Sequence, residues 1–218
     1  MRVYHFVNER FGLEDLKKRR LKIAMIEDLN DPFEMLGFSN HIPELRTGWQ
    51  YFKKDTGSRF GLLCFSKSWR NPVQWSHYAD GHRGLCLGFD VPKRLLFEVT
   101  YSDQRWNPDL KAFQDGAHSA QKELVRIFST KFSHWRYENE VRCIVPLSTV
   151  VRDGDFYFER FSNRLFLKEV IVGHRSAISR KQVLSALGGL KGDVSLIKAR
   201  LSFRSFSVVR QRNEALWI

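Results

Sequence analysis

Apolar and polar positions follow two periods along this 218-residue chain, and the change of period marks out its elements. Short apolar runs bounded by turn-forming residues recur at 3–7, 61–65, 85–89, 95–101, 156–160 and 166–173, with further ones at 21–25, 194–199 and 206–210. Runs of this length predict buried strands. A spacing of three to four predicts helices at 12–22, where Leu13, Leu16 and Leu21 share a face, and at 108–132, where Leu110, Phe113, Ala117, Leu124 and Phe128 form a stripe. Residues 179–187 form another helix, stopped by Gly188-Gly189. Residues 37–54, with His41, Trp49 and Tyr51, read as a mobile cover carrying an amphipathic helix.

The stretch 60–90 organises the rest. Its two apolar runs flank a polar segment with Ser66, Ser68, Trp75, His77, Tyr78, Asp80, His82 and Arg83. Asn71-Pro72 starts a helix, because Asn caps the first free amides and Pro suits the first helical position. Asp80-Gly81 supplies the turn that ends it. Strand, helix and strand thus hold most polar groups near the ends of elements.

Two other stretches carry candidate chemistry. If 135–147 is extended, alternation puts Arg136, Glu138, Glu140 and Arg142 on one face. That face is either a ladder of exposed ion pairs, each worth only about 0.2–1 kcal/mol, or a carboxylate held in an electropositive cleft. In 29–34, LNDPFE, the residues Asn30, Asp31 and Pro32 are explained as a turn. Glu34 is not.

Composition narrows the class. Eighteen Phe and six Trp in a chain that is 43% hydrophobic argue for a folded globule. Length suits one domain over 1–218, with 174–218 as a candidate C-terminal appendage. No apolar run reaches the ~18 residues of a membrane span, and the amino terminus lacks a signal-peptide core, so a soluble, cytoplasmic protein is expected. Cys64, Cys86 and Cys143 are odd in number and set among apolar residues, which favours buried thiols. His77 and His82 are close without a Cys beside them, so no metal site is expected. The net charge of +12 attracts anions: nucleic acid, a phosphorylated cofactor or an acidic partner. Lys17 to Arg20 and Lys198 to Arg212 are the densest basic stretches and read first as solvated faces.

The strings YHF, LNDPFE, CFS, WSHYADGHRGLCLGFD, WRYENEVR and EVIVG, from Tyr4 to Gly173, resemble a widespread bacterial family of uncharacterised proteins. More distantly, the order of elements is similar to the ADP-ribosyltransferase fold. That resemblance implies an α+β domain built on a split, mixed or antiparallel β-sheet with flanking helices, taking NAD as substrate. It places His5 at the first signature position, Ser66 and Ser68 at the second with Tyr78 as the alternative Tyr, and Glu140 at the catalytic glutamate, with Glu138 as the accessory one. Glu140 would hydrogen-bond a ribose hydroxyl. His5 would hold the other ribose or the amide, Trp75 or Tyr78 would stack on nicotinamide, and Arg83 would neutralise pyrophosphate. Glu138 or Asp80 would orient or deprotonate a protein or nucleic-acid acceptor. The departures are a His in first place beside a Glu-X-Glu pattern, and LNDPFE, with Asn30, Asp31 and Glu34, which has no counterpart. The rivals are a basic nucleic-acid-binding or nucleic-acid-processing protein of defence or stress response, without NAD chemistry, and an interaction module whose enzymatic ancestor lost activity.

Overall fold

A computed structural model describes residues 1–39, 41–109, 111, 117–190 and 192–217. Its strands are β1 (Arg2–Val7), β2 (Arg20–Lys22), β3 (Ala24–Met25), β4 (Phe60–Ser66), β5 (Leu85–Asp90), β6 (Phe97–Glu98), β7 (Thr100–Ser102), β8 (Thr130–Phe132), β9 (Glu140–Pro146), β10 (Val151–Asp153), β11 (Phe156–Arg160), β12 (Phe166–Val172), β13 (Ser195–Leu201) and β14 (Val208–Arg210). The helices are α1 (Glu9–Lys18), α2 (Pro43–Arg59), α3 (Pro72–Tyr78), α4 (Ala117–Ser129) and α5 (Arg180–Leu187). The chain is α+β, and its main sheet is mixed: the order is β14-β13-β12-β5-β1-β4-β9-β6, with β12 and β13 parallel and β3 also paired to β4.

The middle of this sheet positions the site. β1 lies against β5 over six residue pairs, from Arg2↔Asp90 to Val7↔Leu85. Against β4 it makes one, Tyr4↔Ser66. Further along the same edge of β4, β3 takes Gly61 and Leu62, so β4 changes partner and the sheet splits between them. Gly61 permits this, because a Cβ there would stand 2.3 Å from Ile23 Cγ2. The other edge of β4 pairs with β9 over its whole length.

Apolar residues of β4, β9, β1, β5 and β12 form the main core around Val3, Phe65, Leu87, Val141 and Val170. Val183 and Leu187 of α5, with Val194 and Trp217, belong to this same core, and β13 extends the sheet beyond β12. A second cluster sets Trp69 and Trp75 against Ile197, Ala199 and Val208. A third gathers Phe38, Trp49, Ile127 and Phe128. Among the described residues, no helix is long and apolar enough to cross a membrane.

Four sequence expectations change. The helix expected at 12–22 is α1, which stops at Lys18 because Arg19 turns left-handed at φ 53°, and Leu21 lies in β2 instead. Extended chain was expected over 135–147, but Ser133–Glu138 is a 3-10 helix and Asn139 is left-handed, at φ 45°, before β9 begins. Asn is among the few residues that accept this conformation, so the chain turns where alternation predicts a straight strand. Residues 95–101 break at Val99, whose N–H donates to Glu140 O, and β6 and β7 on either side pair with β9 and β8. The long helix is α4 alone, with Thr130 to Phe132 forming β8 beside β7; the Leu110 and Phe113 part of the expected stripe lies outside the described residues. The cover expected at 37–54 contains most of α2, with Trp49 stacked on Phe52, Tyr51 exposed, and His41 bonded to Ser39.

Candidate functional site

A cleft of about 230 Å³ opens where the sheet splits. β1 contributes Tyr4, His5 and Phe6, β3 Ala24, and β4 Cys64, Phe65 and Ser66. The far wall is ionic: Lys131, Glu138, Glu140 and Arg142, with Asn30, Gln74 and Tyr78 at its side.

His5 fills the gap left by the missing strand pairs. Its Nδ1 donates to the Cys64 carbonyl at 3.1 Å, which leaves Nε2 as the acceptor of a neutral ring. Burial pushes its pKa down, against the carbonyl's opposing pull, so the ring stays neutral. Burial likewise pushes the Cys64 thiol well up.

Arg142, 1% exposed, anchors the ionic wall. Its Nε and Nη2 donate to the two carboxylate oxygens of Glu140 at 2.7 and 3.0 Å, and Nη2 also reaches Glu34 Oε2 at 2.9 Å. Nη1 bonds Glu34 Oε1 and the Phe128 carbonyl. Glu34 is thereby explained: the turn that Asp31 makes through the Phe33 and Glu34 amides delivers its carboxylate to a buried guanidinium. The Lys131 ammonium bridges Glu138 Oε2 at 2.5 Å and Glu140 Oε2 at 3.3 Å. Burial works against the ionised lysine, but Glu140 and Glu138 outweigh it and raise its pKa.

The two glutamates differ. Burial would raise both; for Glu140, Arg142 and Lys131 overcome it and hold the pKa down to about 2. Glu138 goes the other way, raised by burial and by Glu140 despite Lys131. Glu138 accepts from Tyr78 Oη at 2.5 Å and from Lys131, leaving about two of a carboxylate's four acceptor positions. Tyr78 in turn accepts from Asn30 Nδ2 at 2.6 Å, and burial with the Glu138 bond raises the phenol's pKa.

α3 places Tyr78 through the cap read from the sequence: Asn71 accepts from Val73 N–H, and Pro72 occupies the first turn. Gln74 of this helix donates from Nε2 to the Glu138 carbonyl at 2.5 Å, which fixes its orientation. Its Oε1 is then a buried acceptor with no partner among the described residues. An orphaned buried acceptor costs about 1–3 kcal/mol and calls for a ligand, water or ion.

The structure thus brings together His5, Ser66, Tyr78, Glu138, Glu140 and Asn30. Trp75 does not join them: it is wholly buried behind the cleft wall, against Phe6, and donates to Trp69 O. Ser68 accepts from Arg70 N–H in a turn, and Arg83 and Asp80 are exposed and line no part of the cleft. Arg136 is exposed over the Tyr101 ring, so the expected four-residue face reduces to Glu140 and Arg142 on β9, joined by Glu138 from the preceding turn. Lys131 and Gln74 were missed. A lysine set between the aromatic residues Phe128 and Phe132 was the available signal for the first.

A larger groove of about 580 Å³ lies elsewhere, against Val91, Phe161, Phe166 and Leu190, with Arg19, Asp90 and Asp193 among its lining residues. A family model described as a protein of unknown function (DUF2971) matches residues 74–143. That span runs from Gln74 through Tyr78, Lys131, Glu138 and Glu140 to Arg142, while His5, Glu34 and Ser66 lie outside it. No curated protein and no solved structure matches the chain. Most of the cleft's ionic wall, from Lys131 to Arg142, therefore falls within the span that resembles this family.

Proposed function

We propose that the cleft binds NAD and transfers ADP-ribose from it to a protein or nucleic-acid acceptor. One observation carries this reading: His5, Ser66 and Glu140 stand on three adjacent strands at the split, in register at Tyr4↔Ser66 and Ser66↔Glu140. The volume, below the ~300–1,000 Å³ of drug-sized pockets, suits the nicotinamide end of the dinucleotide. The orphaned Gln74 Oε1 suits the N–H of a carboxamide.

In the reaction the nicotinamide–ribose bond breaks with its electron pair leaving on nicotinamide, and positive charge develops on the ribose. A fixed anion at that point stabilises the transition state more than the ground state. Glu140 is kept ionised for this role. Glu138, with raised pKa and spare acceptor positions, takes the proton that the acceptor hydroxyl or amine releases as it bonds to the ribose carbon.

The test incubates the intact protein with NAD labelled in the adenosine part, together with cell extract. Wild type should release nicotinamide and label a macromolecule, and Glu140→Gln should lose at least a hundredfold in rate. No NAD binding, no nicotinamide release and no labelled product from the wild type would refute the proposal.

A further inference from the structure

The hairpin between β13 and β14 ends in two phenylalanines that stand out into solvent, Phe203 with the Arg200 guanidinium 4.7 Å over its ring. Phe203 is 92% and Phe206 102% exposed, and Leu201 beside them is half-exposed. Their loop is nonetheless tied down: Ser202 N–H donates to Ser207 O, and the hydroxyls of Ser202, Ser205 and Ser207 bond one another. Exposed aromatic rings grouped on a hydrogen-bonded turn mark an interaction surface. From Lys198 to Arg212 the chain carries five cations and no acid, and among the described residues Arg200, Arg204 and Arg212 join no ion pair.

This hairpin is fastened to the cleft. Val208 N–H donates to the Arg70 carbonyl at 2.8 Å, and the next residue, Asn71, donates from Nδ2 to the Tyr137 carbonyl at 2.8 Å. Tyr137 opens a row of rings that ends at Tyr78 in the cleft: Trp135 at 6.0 Å and His77 at 5.9 Å between centroids, with Tyr78 6.1 Å beyond His77. Exposed cations accompany it, Arg70 beside Trp69 and Arg136 beside Tyr101. Rings for base stacking interleaved with guanidinium groups for phosphates are the recognition chemistry of single strands. An anionic membrane would account for the hairpin tip but not for a row of rings leading to the cleft.

We infer that the hairpin and this row form one binding surface for single-stranded nucleic acid, which is the acceptor of the transfer. The second clause rests on the function proposed above; the binding surface does not.

The experiment measures binding of a labelled mixed-sequence oligonucleotide, as DNA and as RNA, by the full chain, beside its duplex and anionic phosphatidylglycerol vesicles. A second arm asks whether the oligonucleotide acquires label from NAD. Single strands should bind more tightly than duplex, with log affinity falling linearly with log salt. Phe203→Ala with Phe206→Ala should weaken binding about tenfold or more, leaving thermal melting and nicotinamide release to water unchanged. Vesicle binding without oligonucleotide binding, equal binding of duplex, or wild-type affinity in the double variant would overturn the inference. Oligonucleotide binding by a protein inert toward NAD would keep the surface and refute the transferase reading. NAD turnover without oligonucleotide binding or labelling would do the reverse.

Discussion

The two edges of β1 behave differently. Toward β5 it is paired along its length, and Val3, Leu85 and Leu87 there are wholly buried. Toward β4 it is paired once, and the gap holds a neutral histidine, two glutamates, a lysine and an arginine. The first edge is stabilised by apolar burial, which is non-directional and tolerant of detail. The second depends on pairing every charge, since an isolated ion at such depth is strongly destabilising. Architecture and site thus share a strand but respond to different substitutions.

The most damaging change should fall on the ionic edge. Arg142→Met leaves Glu34 buried without its cation and Glu140 with Lys131 alone, and should cost about 3–5 kcal/mol in urea unfolding. Adding Glu34→Leu and Glu140→Leu should recover most of that loss, because a fully apolar replacement removes the stranded charges. On the paired edge, Leu87→Ala should cost about 2–5 kcal/mol by cavity formation, with nicotinamide release per folded molecule retained. If Leu87→Ala abolished turnover in folded protein, the separation of the two edges would fail. Glu138→Gln should reduce transfer about a hundredfold while stability changes little, and should flatten the acidic limb of the pH–rate profile.

The last effect concerns pH. Asp15 of α1 is buried without an ion-pair partner among the described residues, and burial, aided by Glu14 against Arg20, pushes its pKa up to about 7 from an ordinary 3.8. A raised carboxyl binds more protons in the folded than in the unfolded chain, so its contribution is fully present below 3.8 and lost as pH rises through about 7. Glu140 has the opposite sign: its contribution is present above 4.5 and lost as pH falls through about 2. Asp15→Asn should therefore remove a decline in melting temperature between about pH 4 and 7 and leave acid unfolding as it was.

Much of this was legible beforehand. The strands at 61–65, 85–89 and 156–160, and the helix begun by Asn71-Pro72, follow from period and capping alone. His5, Tyr78, Glu138 and Glu140 were brought together by resemblance, and they do line one cleft. Glu34 could be flagged only as unexplained, because its partner is 108 residues away and no local pattern encodes that distance. Lys131 stayed hidden because helical spacing predicted its segment to continue α4. Trp75 was misplaced because an indole beside polar residues reads as a stacking surface, whereas here Phe6 and Trp69 enclose it.

The most direct measurement is a crystal structure of the protein with NAD. The proposed function predicts nicotinamide between β1 and β4, its carboxamide on Gln74 Oε1 and a ribose hydroxyl on Glu140 or Glu138. NAD seated instead in the groove against Phe161 and Phe166, or an empty cleft at saturating NAD, would contradict it.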